Sequence, residues 1–183
     1  MALCDYLLNM DILGYDCANP PAKGVDATGL LLNRSDVEGY DAGAITLKCG
    51  GKKAYKVVQG GKTPFSGTQQ EMQEGVYQKT LTNTLQIVVL RQDEDWAQQL
   101  FSLMNGEFVA VLRDQRGYCQ AFGLEAGLHC TGAVRELYND DTLAGWQITF
   151  TEEGASKSIF ITGANFYRIQ QETLPCPQSV HDP

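Results

Sequence analysis

Trp146-Gln147-Ile148-Thr149-Phe150-Thr151 decides the class of this chain. Successive side chains of a strand point to opposite faces. Trp146, Ile148 and Phe150 therefore share one face, and Gln147, Thr149 and Thr151 the other. The period is two, where a helix would need 3.6. Upstream, Phe108-Val-Ala-Val-Leu112, the turn Asp114-Gln-Arg-Gly117 and Tyr118-Cys-Gln-Ala-Phe122 read as a hairpin. Leu128 to Tyr138 reads as a further strand, Asn139-Asp-Asp141 as a turn, and Ser158-Ile-Phe-Ile161 as the closing strand.

Toward the N-terminus, Gly29-Leu-Leu-Leu-Asn-Arg34, Ala44-Ile-Thr-Leu-Lys48 and Lys53-Ala-Tyr-Lys-Val-Val58 have strand character. Gly50-Gly51 predicts a hairpin between the last two, because glycine supplies the positive φ of a tight turn. Glu74 to Leu90 is one long strand or two, with Leu85-Gln-Ile-Val-Val-Leu90 as its buried part. One segment is helical, at about residues 93–105. Asp93 caps it, Glu94 and Asp95 suit the positive end of the dipole, and Asn105-Gly106 ends it. Trp96, Leu100 and Leu103 or Met104 form its apolar face. Eight or nine short strands with one helix predict a mainly β chain, an antiparallel sandwich or barrel with one packed helix.

A length of 183 residues fits a single domain. We place it at 28–170, with a long polar loop near 60–73. Residues 1–27 form an N-terminal arm in which Pro20-Pro21 lacks amide donors and favours extended chain. Its Leu3, Tyr6, Leu7, Leu8, Ile12 and Leu13 call for a surface to cover, on their own domain or a neighbour's. Residues 171–183 form an extended tail.

The chain is 43% hydrophobic and 20% charged, which argues against wholesale disorder. No stretch has the length of apolar residues a membrane helix needs, so no membrane partner is expected. The first residues carry acids where a secretory signal would be basic, which points to synthesis in the cytoplasm. The six cysteines (4, 17, 49, 119, 130 and 176) match no compact disulfide framework and read as reduced thiols. The net charge of −8 gives no general attraction for nucleic acid. From Ala42 to Gln70, however, there is no acid and there are five lysines (48, 52, 53, 56 and 62). A basic lobe on an acidic body suits head-to-tail self-association, although a solvated lysine-rich hairpin would read the same.

No catalytic, cofactor-binding or metal-binding residue is assigned, and the chain reads as no enzyme. His129 and Cys130 are neighbours in a strand pattern, so they face opposite ways and make a poor nucleophile–base pair. His129 reads as a partly buried structural histidine. Cys119, His129 and Cys130 lack the two-residue spacing typical of zinc ligands. Gly60-Gly-Lys-Thr63 lacks the upstream glycine of a phosphate loop, and Pro64 opposes a following helix. Asp93-Glu-Asp95, Asp140-Asp141 and Glu152-Glu153 serve as a helix start, a turn and a solvated strand end.

The stretch from Thr46 to Ile161 resembles tail-tube-like structural proteins of tailed bacteriophages infecting Bacteroides-type bacteria. The resemblance rests on ITLKCGGKKAYKV, FSLMNGEFVAVL, YCQAFGLEAGLHCTGAVRELYND and GWQITFTEE, and leaves the arm and the tail uncovered. It implies a β-sandwich or barrel subunit forming hexameric rings that stack around a channel for DNA. It also implies no catalytic residues and no cofactor. The partners it implies are further copies of the chain, other phage tail or neck proteins, and double-stranded DNA as non-specific cargo, with the virion as location. The alternative is a non-catalytic binding module of a bacterial envelope or prophage-encoded protein, taking carbohydrate or protein.

Overall fold

The structure, a computed structural model, describes residues 24–48, 54–60, 63–75, 78–89, 94–136 and 145–171. The strands in chain order are β1 (Thr28–Asn33), β2 (Val37–Asp41), β3 (Ala44–Leu47), β4 (Tyr55–Val58), β5 (Gln69–Glu74) and β6 (Lys79–Val89). They continue with β7 (Glu107–Arg113), β8 (Cys119–Phe122), β9 (Leu128–Glu136), β10 (Gly145–Ala155) and β11 (Ile159–Ile161). Helix α1 (Glu94–Asn105) joins β6 to β7, and helix α2 (Gly163–Gln171) follows β11.

Among the described residues, nine strands form one antiparallel sheet, and β2 and β3 form a separate hairpin. Strand β7 is the hub. Along one edge it pairs with β1, and along the other first with β8 and then with β9. From β9 the sheet continues through β10 and β6 to β5; from β1 it continues to β4, and from β8 to β11.

Strands β1 and β7 are buried on both faces, which is why their sequences run apolar without a break. Leu30, Leu32, Val109 and Val111 enter one core with Ile45 of β3 and Phe166 and Ile169 of α2. Leu31, Phe108 and Ala110 enter a second core with Ile87, Ile148 and Phe150, which Trp96 and Leu100 of α1 cover. Across this second core Phe108 and Phe150 meet edge to face, their ring centroids 5.8 Å apart. The result is an antiparallel sandwich with α1 packed on it, and no closed barrel.

Five expectations are corrected. First, α2 is a second helix. Its apolar face is narrow, with only Phe166 and Ile169 as buried apolar residues, so its period is easily missed. Thr162 caps it, accepting a hydrogen bond from Asn165 N–H at its hydroxyl (3.2 Å) and one from Phe166 N–H at its carbonyl. Second, β3 and β4 do not form a hairpin. β3 pairs with β2 and β4 with β1, although Gly50-Gly51 lie outside the described residues. The hairpin is β2–β3, turned by Ala42 (φ 45°) and Gly43 (φ 81°), the two positive φ values of a type I′ turn.

Third, the loop near 60–73 is shorter, because Gln69–Glu74 is β5, hairpinned onto β6. Phe65, at φ 55°, turns its ring into the core within this connection. Fourth, His129 is exposed. Fifth, Glu152 is buried, with 2% of its surface exposed.

Candidate protein–protein interface

A strand at the end of a sheet has one edge of backbone N–H and C=O groups without partners, and those groups must be covered or hydrated. This sheet deals with its ends in different ways.

On β6, Gln86 and Val88 lie past the last residue paired with β5. Gln86 N–H donates to the Thr68 hydroxyl at 3.3 Å. Val88 N–H donates to Gln59 Oε1 at 2.8 Å, and Val88 C=O accepts from Gln59 Nε2 at 3.1 Å. The Gln59 amide thus stands where a peptide of a neighbouring strand would. Asn165 does the same for β3: its Oδ1 accepts from Ile45 N–H at 2.9 Å and its Nδ2 donates to Ile45 C=O at 3.2 Å. Arg168 adds a bond to the same carbonyl.

Side chains link Gln70 of β5 to β8 and to Ser158, the residue before β11. Gln70 Oε1 accepts from the Ser158 hydroxyl at 2.6 Å and from Gln120 Nε2 at 3.0 Å. Gln70 Nε2 donates to Asn83 Oδ1, and Asn83 Nδ2 donates to Glu152 Oε2, both at 2.6 Å. Glu152 also accepts the N–H groups of Gly123, Glu125 and Ala126 at 2.7, 3.1 and 3.0 Å. A chain of side chains therefore joins the sheet's ends where a barrel would have a backbone ladder, and Glu152 pins the β8–β9 loop. The period of two in β10 already put Glu152 on the inward face, in step with Ile148 and Phe150. Its charge made it read as solvated. Nothing in the sequence marks Gln59.

Strand β4 is treated differently. It pairs with β1 alone. Gln59 N–H, just past its end, donates to Ala27 O on the β1 side. Alternate residues of a strand turn their amides to opposite edges, so the backbone groups of Lys56 and Val58 face away from β1. No strand among the described residues pairs with that edge. It borders a cleft of about 790 Å³. Trp96, Ser102 and Leu103 of α1 form the opposite wall, Leu31, Ile87 and Phe108 lie at its base, and the Gln59–Val88 pair lies along it. Three large apolar side chains on its rim reach solvent: Val58 (67% exposed), Tyr55 (49%) and Val88 (49%). A smaller hollow, sharing Asn33, Ser102 and Phe108 with the cleft, is lined by Arg34, Lys48 and Glu107.

The residues weighed for chemistry do not converge. Cys119 is buried in the core under α2, whereas Cys130 packs against the other core. Burial pushes the Cys119 thiol above its ordinary pKa. His129 pairs with Thr151 on the outer face, opposite Cys130. Glu94 is exposed at the start of α1, while Asp93, Asp140 and Asp141 lie outside the described residues. Of the basic lobe, Lys48 and Lys56 are exposed, and Lys52, Lys53 and Lys62 lie outside the described residues. Among the described residues no three His, Cys, Asp or Glu side chains cluster to hold a metal. No helix of those residues is long and apolar enough to cross a membrane. No family model matches the chain, and neither does any curated protein sequence or solved structure.

Proposed function

We propose that this chain is a structural virion protein of a tailed bacteriophage. It assembles with copies of itself into rings, hexameric by the resemblance above, that stack into a tail tube or head–tail channel. Double-stranded DNA passes through as non-specific cargo, and other phage tail or neck proteins are the further partners.

The observation that carries this reading is the edge of β4, which no described strand covers, beside Tyr55, Val58 and Val88. An unpaired strand edge next to exposed apolar side chains is a template for pairing with another chain. The same chain caps β3 with Asn165 and β6 with Gln59. A β4 edge that no described strand covers suits a subunit whose edge is covered on assembly.

The second reading is a non-catalytic binding module for carbohydrate or protein. The cleft volume favours it, since about 790 Å³ lies in the range of small-molecule sites. Sedimentation velocity and negative-stain microscopy of the purified protein separate the two. Rings or tubes are expected. A compact monomer at every concentration overturns the self-assembly reading and favours the binding module.

A further inference from the structure

The cleft beside β4 has room along a strand edge that no described strand covers, an apolar base and Lys56 in its lining. What fits is an extended segment with one apolar face and a second face that carries an acid. The chain itself carries one. In Tyr6-Leu7-Leu8-Asn9-Met10-Asp11-Ile12, a period of two places Tyr6, Leu8, Met10 and Ile12 on one side and Leu7, Asn9 and Asp11 on the other.

We propose that residues 6–12 of a second copy add to β4 as an extra strand. This rests on the self-assembly reading and names the contact that carries it. The backbone groups of Lys56 and Val58 that face away from β1 pair with the incoming strand, as in recognition by β-strand addition. Its Tyr6, Leu8, Met10 and Ile12 face lies over Leu31, Ile87, Trp96, Leu103 and Phe108. Its other face lies toward solvent beside Lys56.

Charge supports the match. The first 23 residues carry Asp5, Asp11 and Asp16 against one lysine, Lys23. Strand β4 carries Lys56 and is flanked in sequence by Lys52, Lys53 and Lys62.

Gln115 N–H bonds Gly24 O, and Val25 bridges to Asp114, so the described chain begins at the β7–β8 turn, at the end of β1 where Val58 and Gln59 of the cleft also lie. The donor is a second copy because the contact serves self-assembly, and the crosslink below separates it from the chain's own arm. A contact from one copy's arm to the next copy's cleft is heterologous, so it propagates and closes into rings if the rotation allows.

Two full-length variants test this. Val58→Pro removes a free amide on the cleft edge and leaves the β1 ladder intact, because proline is tolerated on edge strands. Leu8→Asp/Met10→Asp places charge on the segment's apolar face. Each variant is checked for native circular dichroism and thermal unfolding, then sized by sedimentation velocity across a concentration series. Each alone is expected to need at least ~30-fold more protein than the unsubstituted chain to assemble. An equimolar mixture, in which one partner keeps its cleft and the other its arm, is expected to form a dimer and stop there. A photo-crosslinker at position 10 should join two chains through a peptide containing Trp96 or Leu103.

If both variants assemble like the unsubstituted chain, strand addition is overturned and self-assembly stands. Crosslinks confined within one chain overturn the exchange between copies. If the unsubstituted chain never assembles, the self-assembly reading falls with it.

Discussion

The side-chain amide of Gln59 makes two opposed hydrogen bonds to the backbone of Val88, one at 2.8 Å and one at 3.1 Å. Neither residue belongs to the other's strand, and 29 positions separate them in sequence. Gln59 is nearly fully buried, whereas the Val88 side chain points out to solvent. One side chain thus does for β6 what a strand would do, and Asn165 repeats the arrangement at Ile45 of β3. Sheet edges covered this way cannot pair with another chain, whereas no described strand covers the edge of β4 that faces away from β1.

Replacing Gln59 with Ala removes both bonds and leaves Val88 N–H and C=O without protein partners. The side chain lines a cleft that water can enter, so the cost should be moderate, about 1–2 kcal/mol. Chemical denaturation of the variant measures it. Hydrogen exchange at Val88 should speed up while exchange at Ile148, in the middle of the sheet, follows only the global change.

Glu152→Ala should be more damaging. It strands the N–H groups of Gly123, Glu125 and Ala126 and the Asn83 amide around a buried cavity. A loss of about 3–5 kcal/mol is expected, because buried donors lose a charge-assisted acceptor. Urea unfolding checks this. A loss under about 1 kcal/mol would mean the β8–β9 loop rearranges and does not depend on this carboxylate.

Gly29 is a position of close approach. A Cβ there would lie 2.8 Å from both Leu112 Cδ2 and Phe65 Cζ. Phe65 is buried in the core, so its ring has little room to withdraw. Gly29→Ala should destabilise by about 1–3 kcal/mol through overpacking. The companion Phe65→Leu should recover part of that loss, and thermal unfolding of the double variant would reveal the coupling.

Ala42 sits at φ 45° in the β2–β3 turn, where a Cβ is unfavourable. Ala42→Gly or Ala42→Asn should raise stability by about 0.5–1 kcal/mol, with no change in the sheet. A lower melting temperature for Ala42→Asn would count against the type I′ assignment.

Cys119 and Cys130 should differ in reactivity. Burial raises the Cys119 pKa, so less thiolate is present at any given pH, and its core position blocks access. Iodoacetamide at pH 8, read by peptide mass spectrometry, should label Cys130 well before Cys119, with the difference vanishing in denaturant. The linkage has a sign. A thiol whose folded pKa lies above its unfolded value keeps its contribution to stability below the unfolded pKa. That contribution is lost as pH rises through the folded one. Cys119→Ala should therefore flatten the alkaline loss of stability above about pH 9.

The β class and helix α1 were legible in the sequence because both rest on local periodicity. Trp146, Ile148 and Phe150 alternate, and Trp96 and Leu100 return at one helical turn, whatever they later pack against. Among sheet partners, the β7–β8 hairpin was legible from its short turn, and the pairings of β3 and β4 were not. Gly50-Gly51 looked like a hairpin, yet β3 and β4 went to different sheets, because pairing is settled by which faces need burial. Ala42-Gly43 carried the weaker turn signal and made the hairpin. The candidate interface was hidden for the same reason. A bare edge exists only relative to the strands that decline to pair with it, and the two amides of Gln59 and Asn165 that cap other edges lie far in sequence from the strands they serve.

The amino-acid sequence by itself therefore determined that strands would dominate, where the main helix would form and which faces would be apolar, since each of these is a near-neighbour property. Only the tertiary structure decided that Glu152 is an anchor inside the fold, that the sheet stops short of a barrel, and that no described strand covers the outer edge of β4. Those outcomes depend on backbone groups finding partners across the whole chain, and hydrogen-bond satisfaction is a global constraint that no short stretch can express.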